Sequence, residues 1–370
     1  MATEKPDAAR LLHLRAAALS KGAPLALPLT QASMFYLPGD PETGVDAYGR
    51  MTNPTWAAVE EMLGHLEGAP ALAFPSGMAA ITAALFATLK AGDRLLLPAD
   101  GYYTPRVLGD RFLNRLGIAV EHRPTASLAD GGFDGFAAVL IETPSNPGLD
   151  LCDLAEVTAQ IRAAGGVSIV DNTTMTPFGQ RPLALGADIV VASDTKAPGG
   201  HSDFLAGHVA SKDAALFEAM REWRTLTGSI SGPFDAWLLH RSLETLELRF
   251  ERMCDTATEI AERLSGHSVV RALRYPGLPS DPAHNLATRQ MRRPGFLIGL
   301  TLADQAAADR FIESCPLIEP ATSFGGVHTT AERRARWGDA VEPGFVRLSV
   351  GTEPVEALWP AIEAALEAGR

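Results

Sequence analysis

The sequence predicts a large α/β domain built on a mostly parallel sheet, followed by a smaller α+β domain. Three observations carry this expectation. Short, mostly apolar runs alternate with helical patterns through the middle of the chain. The runs are apolar rather than alternating, as in a sheet covered on both faces. At 370 residues the chain is long for one core, and its pattern changes near Pro233.

Taken in order, residues 1–56 read as an N-terminal helix and an arm. MATEKPDAARLLHLRAAALSKG is a short amphipathic helix with no apolar run of signal-peptide length. Residues 24–56 are rich in Pro, Gly and Thr with little periodicity, an extended arm expected to contact a neighbouring subunit. Trp56, Val59, Met62, Leu63 and Leu66 recur at helical spacing over Thr55–Leu66. Within the α/β domain, residues 57–233, strands are expected at Leu95–Leu97, Ala119–Glu121, Ala138–Ile141, Val167–Val170, Ile189–Ala192 and Gly207–Ala210. Helices are expected near Gly77–Leu89, Arg106–Leu116, Leu154–Ala164 and Ala214–Trp223. The C-terminal α+β domain, residues 234–370, opens with one long helical stretch, Phe234–Leu264. Strands Phe296–Leu302 and Phe345–Val350 follow, with helices near Gln305–Ser314 and Val355–Ala368.

Composition narrows the function classes. Apolar residues make up 46% and charged residues 21%, as in ordinary soluble proteins. A net charge of −12 argues against a nucleic-acid partner or an anionic membrane surface, both of which need clustered cations. No stretch approaches the roughly 18 apolar residues of a membrane span. Three scattered cysteines form neither a CxxC pair nor a Cys/His cluster, so no metal site or disulfide framework is expected and a reducing cytoplasm fits.

The segment richest in chemistry is Ile189–Lys196, an apolar run ending in Ser193-Asp194-Thr195-Lys196. A lysine at the end of a core strand is costly unless paired or neutralised. A Schiff base with an aldehyde cofactor neutralises it, and desolvation favours the free amine as a nucleophile. Ser193 and Thr195 can donate to a phosphate alongside. Taken alone, Lys196 reads more readily as a surface lysine in the loop after the strand. Asp171 ends another apolar strand and can share the same rim of the sheet, where ligands of such sheets bind. An acid there keeps a pyridine nitrogen protonated, although a plain turn aspartate has the same sequence. Ser76 can cap the helix that begins at Gly77, whose free amides attract an anion. There is no GxGxxG, GxxxxGK[ST] or GxSxG. His201-Ser202-Asp203 lists the members of a hydrolytic triad, but adjacent residues do not converge as one, so the trio is expected to brace the loop after Lys196. Alternation over Phe345–Val350 puts Val346, Leu348 and Val350 toward the core and Arg347 with Phe345 and Ser349 on the other face. Arg347 there can hold a substrate carboxylate through two parallel bonds, or serve only as a solvated strand arginine.

Together these blocks resemble the Cys/Met-metabolism family of pyridoxal-phosphate (PLP) enzymes, which includes cystathionine γ-lyases, β-lyases and γ-synthases and methionine γ-lyases. The matching segments are YGRMTNPT (48–55), LEGAPALAFPSGMAAI (66–81), ETPSNPGLD (142–150), VDNT (170–173), SDTK (193–196), GPFDAWLLHRSLETL (232–246), SFGG (323–326) and VRLSVG (346–351). The resemblance implies the PLP-dependent transferase fold type I, like that of aspartate aminotransferase, and a homotetramer built from two dimers. It implies that Lys196 binds PLP covalently and then moves protons, and that Asp171 pairs with the ring nitrogen. Ser76, Gly77, Met78, Ser193 and Thr195 would surround the phosphate, joined by Tyr48 and Arg50 of a neighbouring subunit. Tyr103, rather than Tyr102, would stack on the ring, and Tyr103 or Tyr48 would assist as acid or base. Asn146 would meet the ring hydroxyl, and Arg347 and Ser323 the substrate carboxylate. The reaction implied is C–S cleavage of a sulfur amino acid, in the manner of a cystathionine γ-lyase. The other family reactions, and a binding protein that has lost catalysis, are the alternatives. Two departures bear on substrate: Thr322 and Ala47 stand where these enzymes often carry acids facing the distal amino group of cystathionine. Arg106 and His328 are further polar groups available to the substrate's far end.

Overall fold

The computed structural model describes residues 4–40, 42 and 44–368. Residues 1–3, 41 and 43 of the expected N-terminal segment, and 369–370 of the last, lie outside it. Helix α1 (Ala8–Leu12) is capped by Asp7, whose carboxylate accepts from the Arg10 amide. After one further helical turn the described residues up to Asn53 form no helix or named strand, and Met34 and Tyr48 make an isolated bridge. Helix α2 (Pro54–Glu67) starts where Asn53 accepts from the Thr55 amide and Pro54 presets the first turn. It ends at Gly68, whose φ of 70° suits glycine.

There follow β1 (Ala71–Phe74), α3 (Gly77–Thr88), β2 (Arg94–Pro98), α4 (Tyr103–Leu108), β3 (Ala119–Arg123) and β4 (Ala138–Glu142). Next come α5 (Leu154–Ala163), β5 (Val167–Asp171), α6 (Thr176–Gly179), β6 (Ile189–Ala192), β7 (Gly207–Ser211) and α7 (Ala214–Thr227). The seven strands form one sheet in the order β1-β7-β6-β5-β4-β2-β3. Strand β7 runs against both its neighbours, and the other strands are mutually parallel. Strands β4 and β6 are buried along their whole length, which explains their unbroken apolar sequences. Each buried Leu, Ile or Val there contributes about 1.5–3 kcal/mol against exposure.

The second sheet is built from β8 (Ala272–Arg274), β9 (Leu297–Thr301), β10 (Glu319–Pro320), β11 (Thr330–Arg333) and β12 (Phe345–Ser349). Its order is β10-β11-β12-β9-β8. Around it lie α8 (Pro233–Leu243), α9 (Leu246–Leu264), α10 (His284–Gln290), α11 (Gln305–Ser314) and α12 (Val355–Ala368). Cys152, Cys254 and Cys315 are buried free thiols.

All six expected strands of the first sheet are present. Three expectations need correction. The stretch 234–264 is two helices rather than one, broken at Glu244–Thr245. The guanidinium of Arg249 takes the Ser242 carbonyl at the break, at 2.8 Å. The helix expected from Arg106 starts at Tyr103 and changes winding, with wider turns over Gly109–Leu113 and tighter ones over Asn114–Leu116. Strands β1, β8, β10 and β11 and helix α10 were not foreseen. Strand β1 is four residues of ALAF that helical and strand periods fit equally well, and the others gain their form from pairing.

Candidate active site

A cavity of about 470 Å3 opens at the carboxyl ends of β4, β5 and β6, beneath the N-terminus of α3. The loop 322–324 and β12 close its other side. It brings together Ser76, Gly77, Met78, Tyr102, Tyr103, Asn146, Asp171, Ser193, Thr195, Lys196, Thr322, Ser323 and Arg347. These residues span the chain from 76 to 347, so only the fold assembles them.

Strand β6 delivers Lys196 through a tight turn, in which the Lys196 amide donates to the Ser193 carbonyl at 3.1 Å. Burial pushes the Lys196 pKa down, the Arg347 cation adds to this, and Asp171 opposes it. Asp171 is 7% exposed and accepts from both the amide (2.9 Å) and the hydroxyl (2.5 Å) of Thr173. Burial raises its pKa, while the Thr173 bonds and the Lys196 and His208 cations lower it. Ser76 caps α3 by accepting from the Ala79 amide at 3.1 Å. A Cβ on Gly77 would come 2.6 Å from the Ser193 Cβ, so only glycine allows the helix to approach the β6 turn. Thr195 exchanges hydrogen bonds with the main chain of Ala206, at 3.1 Å each way.

Arg347 is not a solvated strand arginine: it is 3% exposed, and all of β12 is buried. Its guanidinium donates to Asn146 Oδ1 (2.6 Å), the Ser323 carbonyl (2.8 Å) and Glu332 Oε2 (3.0 Å). Three of its five N–H groups are thereby used, leaving two for a carboxylate. Burial, joined by the nearby Arg334 cation, lowers its pKa to about 10. The Asn146 oxygen faces Arg347, so its amide nitrogen remains to donate elsewhere.

Several site residues escaped the sequence reading. Glu142 ends β4 opposite Asp171 and accepts from the Tyr102 amide (2.6 Å) and the Asn146 amide (2.8 Å). Burial and the Asp171 charge raise its pKa to about 8. The signal that found Asp171, an acid closing an apolar strand, is present at Glu142 too. Glu332 is buried and gathers Arg334, Arg336, Arg347 and the Trp337 indole, and it accepts from the Thr322 hydroxyl at 3.3 Å. Nothing in AERRARW marks that convergence in advance.

Other candidates lie elsewhere. Tyr48 and Arg50 do not line this cavity; Arg50 packs on the Tyr48 ring and donates to the Thr225 carbonyl at 2.9 Å. His201 bonds the Gly199 carbonyl at 2.8 Å, bracing the loop after Lys196 as expected. Arg106 donates to the Pro98 and Gly101 carbonyls and supports the loop carrying Tyr102. His328 faces an adjoining cavity of about 620 Å3 that shares Lys196 and Ser323. Among the described residues no group of His, Cys, Asp and Glu side chains is placed to hold a metal ion, and no helix is long and apolar enough to cross a membrane.

A half-buried lysine with a depressed pKa, a buried acid near it, and a helix N-terminus approached through glycine make a fitting receptacle for PLP. Set on this doubly covered sheet, they define a PLP-dependent enzyme of fold type I. A sequence model described as Cys/Met metabolism PLP-dependent enzyme matches residues 15–367, and the chain belongs to that family. The chain is 49% identical to a Streptomyces coelicolor protein named "Putative cystathionine gamma-lyase", covering 91% of this chain and 87% of that protein. It is 37% identical to a cystathionine β-lyase of Lactococcus lactis, covering 93% and 94%. The cystathionine γ-synthase of Xanthomonas oryzae, solved with aminoacrylate and cysteine, superposes with a TM-score of 0.94 at 32% identity, covering 99% of both chains.

Proposed function

We propose that this PLP-dependent enzyme is a cystathionine γ-lyase, converting cystathionine and water to cysteine, ammonia and 2-oxobutanoate. The observation that carries the reading is the convergence of Lys196, Asp171 and Arg347 on one cavity. The relative of 49% identity supports γ- over β-cleavage.

PLP, held by Lys196, supplies an electron sink for charge developing at the substrate's Cα. Asp171 would keep the proton on the ring nitrogen, Ser193, Thr195 and the Gly77 and Met78 amides would hold the phosphate, Asn146 would donate to the ring hydroxyl, and Tyr103 would pack on the ring. Arg347 binds the substrate carboxylate with its two remaining N–H groups, next to Ser323, and so aims the Cα proton at Lys196. The depressed pKa of Lys196 keeps its amine available to take that proton and return it. Tyr48 and Arg50 complete the site of a second copy of the chain, and their exposure away from this cavity suits that role.

A second reading, γ-cleavage of methionine or homocysteine, is favoured by Thr322. No acid stands at that position, and Glu332 behind it is already saturated by arginines. The test is to incubate the holoenzyme separately with L-cystathionine and L-methionine and identify the keto acid. We expect 2-oxobutanoate, faster from cystathionine. Pyruvate from cystathionine overturns γ-cleavage, and faster turnover of methionine overturns the substrate.

A further inference from the structure

Behind the Lys196 turn lies a buried group that plays no part in the steps above. His208, on β7, is 1% exposed. Its Nδ1 faces both carboxylate oxygens of Asp194, at 2.9 and 3.0 Å, and its Nε2 lies 3.2 Å from Glu67 Oε1. Asp194 is fully buried, and Glu67, the last residue of α2, is 2% exposed. The second Glu67 oxygen has no partner. Two carboxylates removed from water this completely are very costly unless a cation sits between them. Despite its burial, the two acids raise the His208 pKa to about 10, so the ring is an imidazolium at neutral pH and donates to both.

The position of Asp194 gives this arrangement its consequence. It lies between Ser193, which lines the cavity, and Lys196, and its own carbonyl accepts the Gly199 amide at 2.7 Å. The Asp194 carboxylate faces away from the cavity and anchors the turn to the sheet. Ala192 pairs with His208 across β6 and β7, and His208 pairs with Ala73 on the other side. The link therefore runs from the Lys196 turn through β7 to the end of α2.

We propose that His208 is a positioning residue for cofactor capture: as a cation shared by Asp194 and Glu67, it fixes the Ser193–Lys196 turn so that the amine and the phosphate donors meet one bound cofactor molecule. The proposal rests on Lys196 being the cofactor-binding lysine. That assignment is tested separately, since borohydride should fix PLP to the wild-type chain at Lys196 and nowhere in K196A.

The charged groups facing His208 are Asp194 and Glu67, with Asp171 interacting at longer range. In His208→Gln the PLP dissociation constant, read by quenching of protein fluorescence, should rise about tenfold. The pH midpoint of the bound cofactor's visible band should shift as well, because the turn that carries Lys196 is no longer held and Asp171, which acts on Lys196, loses a cation acting on it. Glu67→Gln keeps the bond to Asp194, so it should lower thermal stability with a smaller change in either readout. Should H208Q fail to fold, the variant E67Q/H208L/D194A removes the cation with both carboxylate partners, and the same loss of PLP affinity is expected. A lowered melting temperature with PLP affinity and midpoint both unchanged would reduce the network to a structural ion pair and overturn the proposal.

Discussion

At the scale of single residues, the proposed binding and specificity turn on two side chains. Arg347 holds three protein partners and offers two further N–H groups to a carboxylate. Lysine keeps the charge and loses the planar fork. Arg347→Lys should therefore raise KM for the amino acid by about 10- to 100-fold, equivalent to about 1.4–2.7 kcal/mol, with a smaller change in kcat. Steady-state kinetics with the preferred substrate check this, and an unchanged KM would remove Arg347 from substrate binding. Thr322 tests the far end of the substrate. Thr322→Glu places an acid where the family resemblance implies one facing the distal amino group of cystathionine, and should raise the ratio of cystathionine to methionine turnover. An unchanged ratio would show that position 322 does not read the distal group. The residues legible in advance were those combining an unusual type with a place in a motif, such as Lys196 after an apolar strand. Glu332 was not legible, because its partners Arg334, Arg336 and Trp337 also read as an ordinary solvated turn.

At the scale of elements, α3 is the part with least freedom. Its first turn meets the β6 turn at Gly77, where an added Cβ would lie 2.6 Å from Ser193. Gly77→Ala must push the helix N-terminus away from Ser193 and so separate two of the proposed phosphate donors. A rise of about tenfold or more in the PLP dissociation constant is expected, measured by titrating apoenzyme with PLP. Ser76→Ala removes only the cap and should cost about 1 kcal/mol of stability with a lesser effect on affinity. Strand positions in the first sheet were readable because both faces are buried and the runs stay apolar. Helix breaks were less so. The interruption at Glu244–Thr245 depends on Arg249 reaching the Ser242 carbonyl while also binding the Ala197 and Pro198 carbonyls. A periodicity reading cannot see a side chain from the next helix taking over a backbone acceptor.

At the scale of the whole molecule, buried titrating groups set the pH range of stability. His208 is raised from 6.5 to about 10, so its contribution is complete below pH 6.5 and is lost as pH rises through about 10. Glu142 is raised from 4.5 to about 8, so its contribution also declines with rising pH, from 4.5 through about 8. His240 is lowered to about 4 by burial and by Arg15, so stability is lost as pH falls from 6.5 toward 4. Urea unfolding should therefore show lower stability at about pH 9.5 than at pH 7, by on the order of 1–2 kcal/mol or more. His208→Gln should flatten the alkaline limb, and an equally steep limb would mean that His208 does not govern it. The sequence showed six strands of the first sheet and most of the cavity wall. It did not show that α2, β7 and the Lys196 turn meet at His208, since Glu67 lies 141 residues from His208 and each of the three residues alone looks unremarkable.

The three cysteines carry one last implication. Burial lifts the Cys152 and Cys254 thiols to about 12, and Cys315 is also raised. Under the proposed C–S cleavage the product is a thiol, and a protein thiolate that attacks a disulfide of such a product is trapped as a mixed disulfide. With every sulfhydryl here both sequestered and raised above its ordinary pKa, the native chain presents no ready thiolate for S-thiolation.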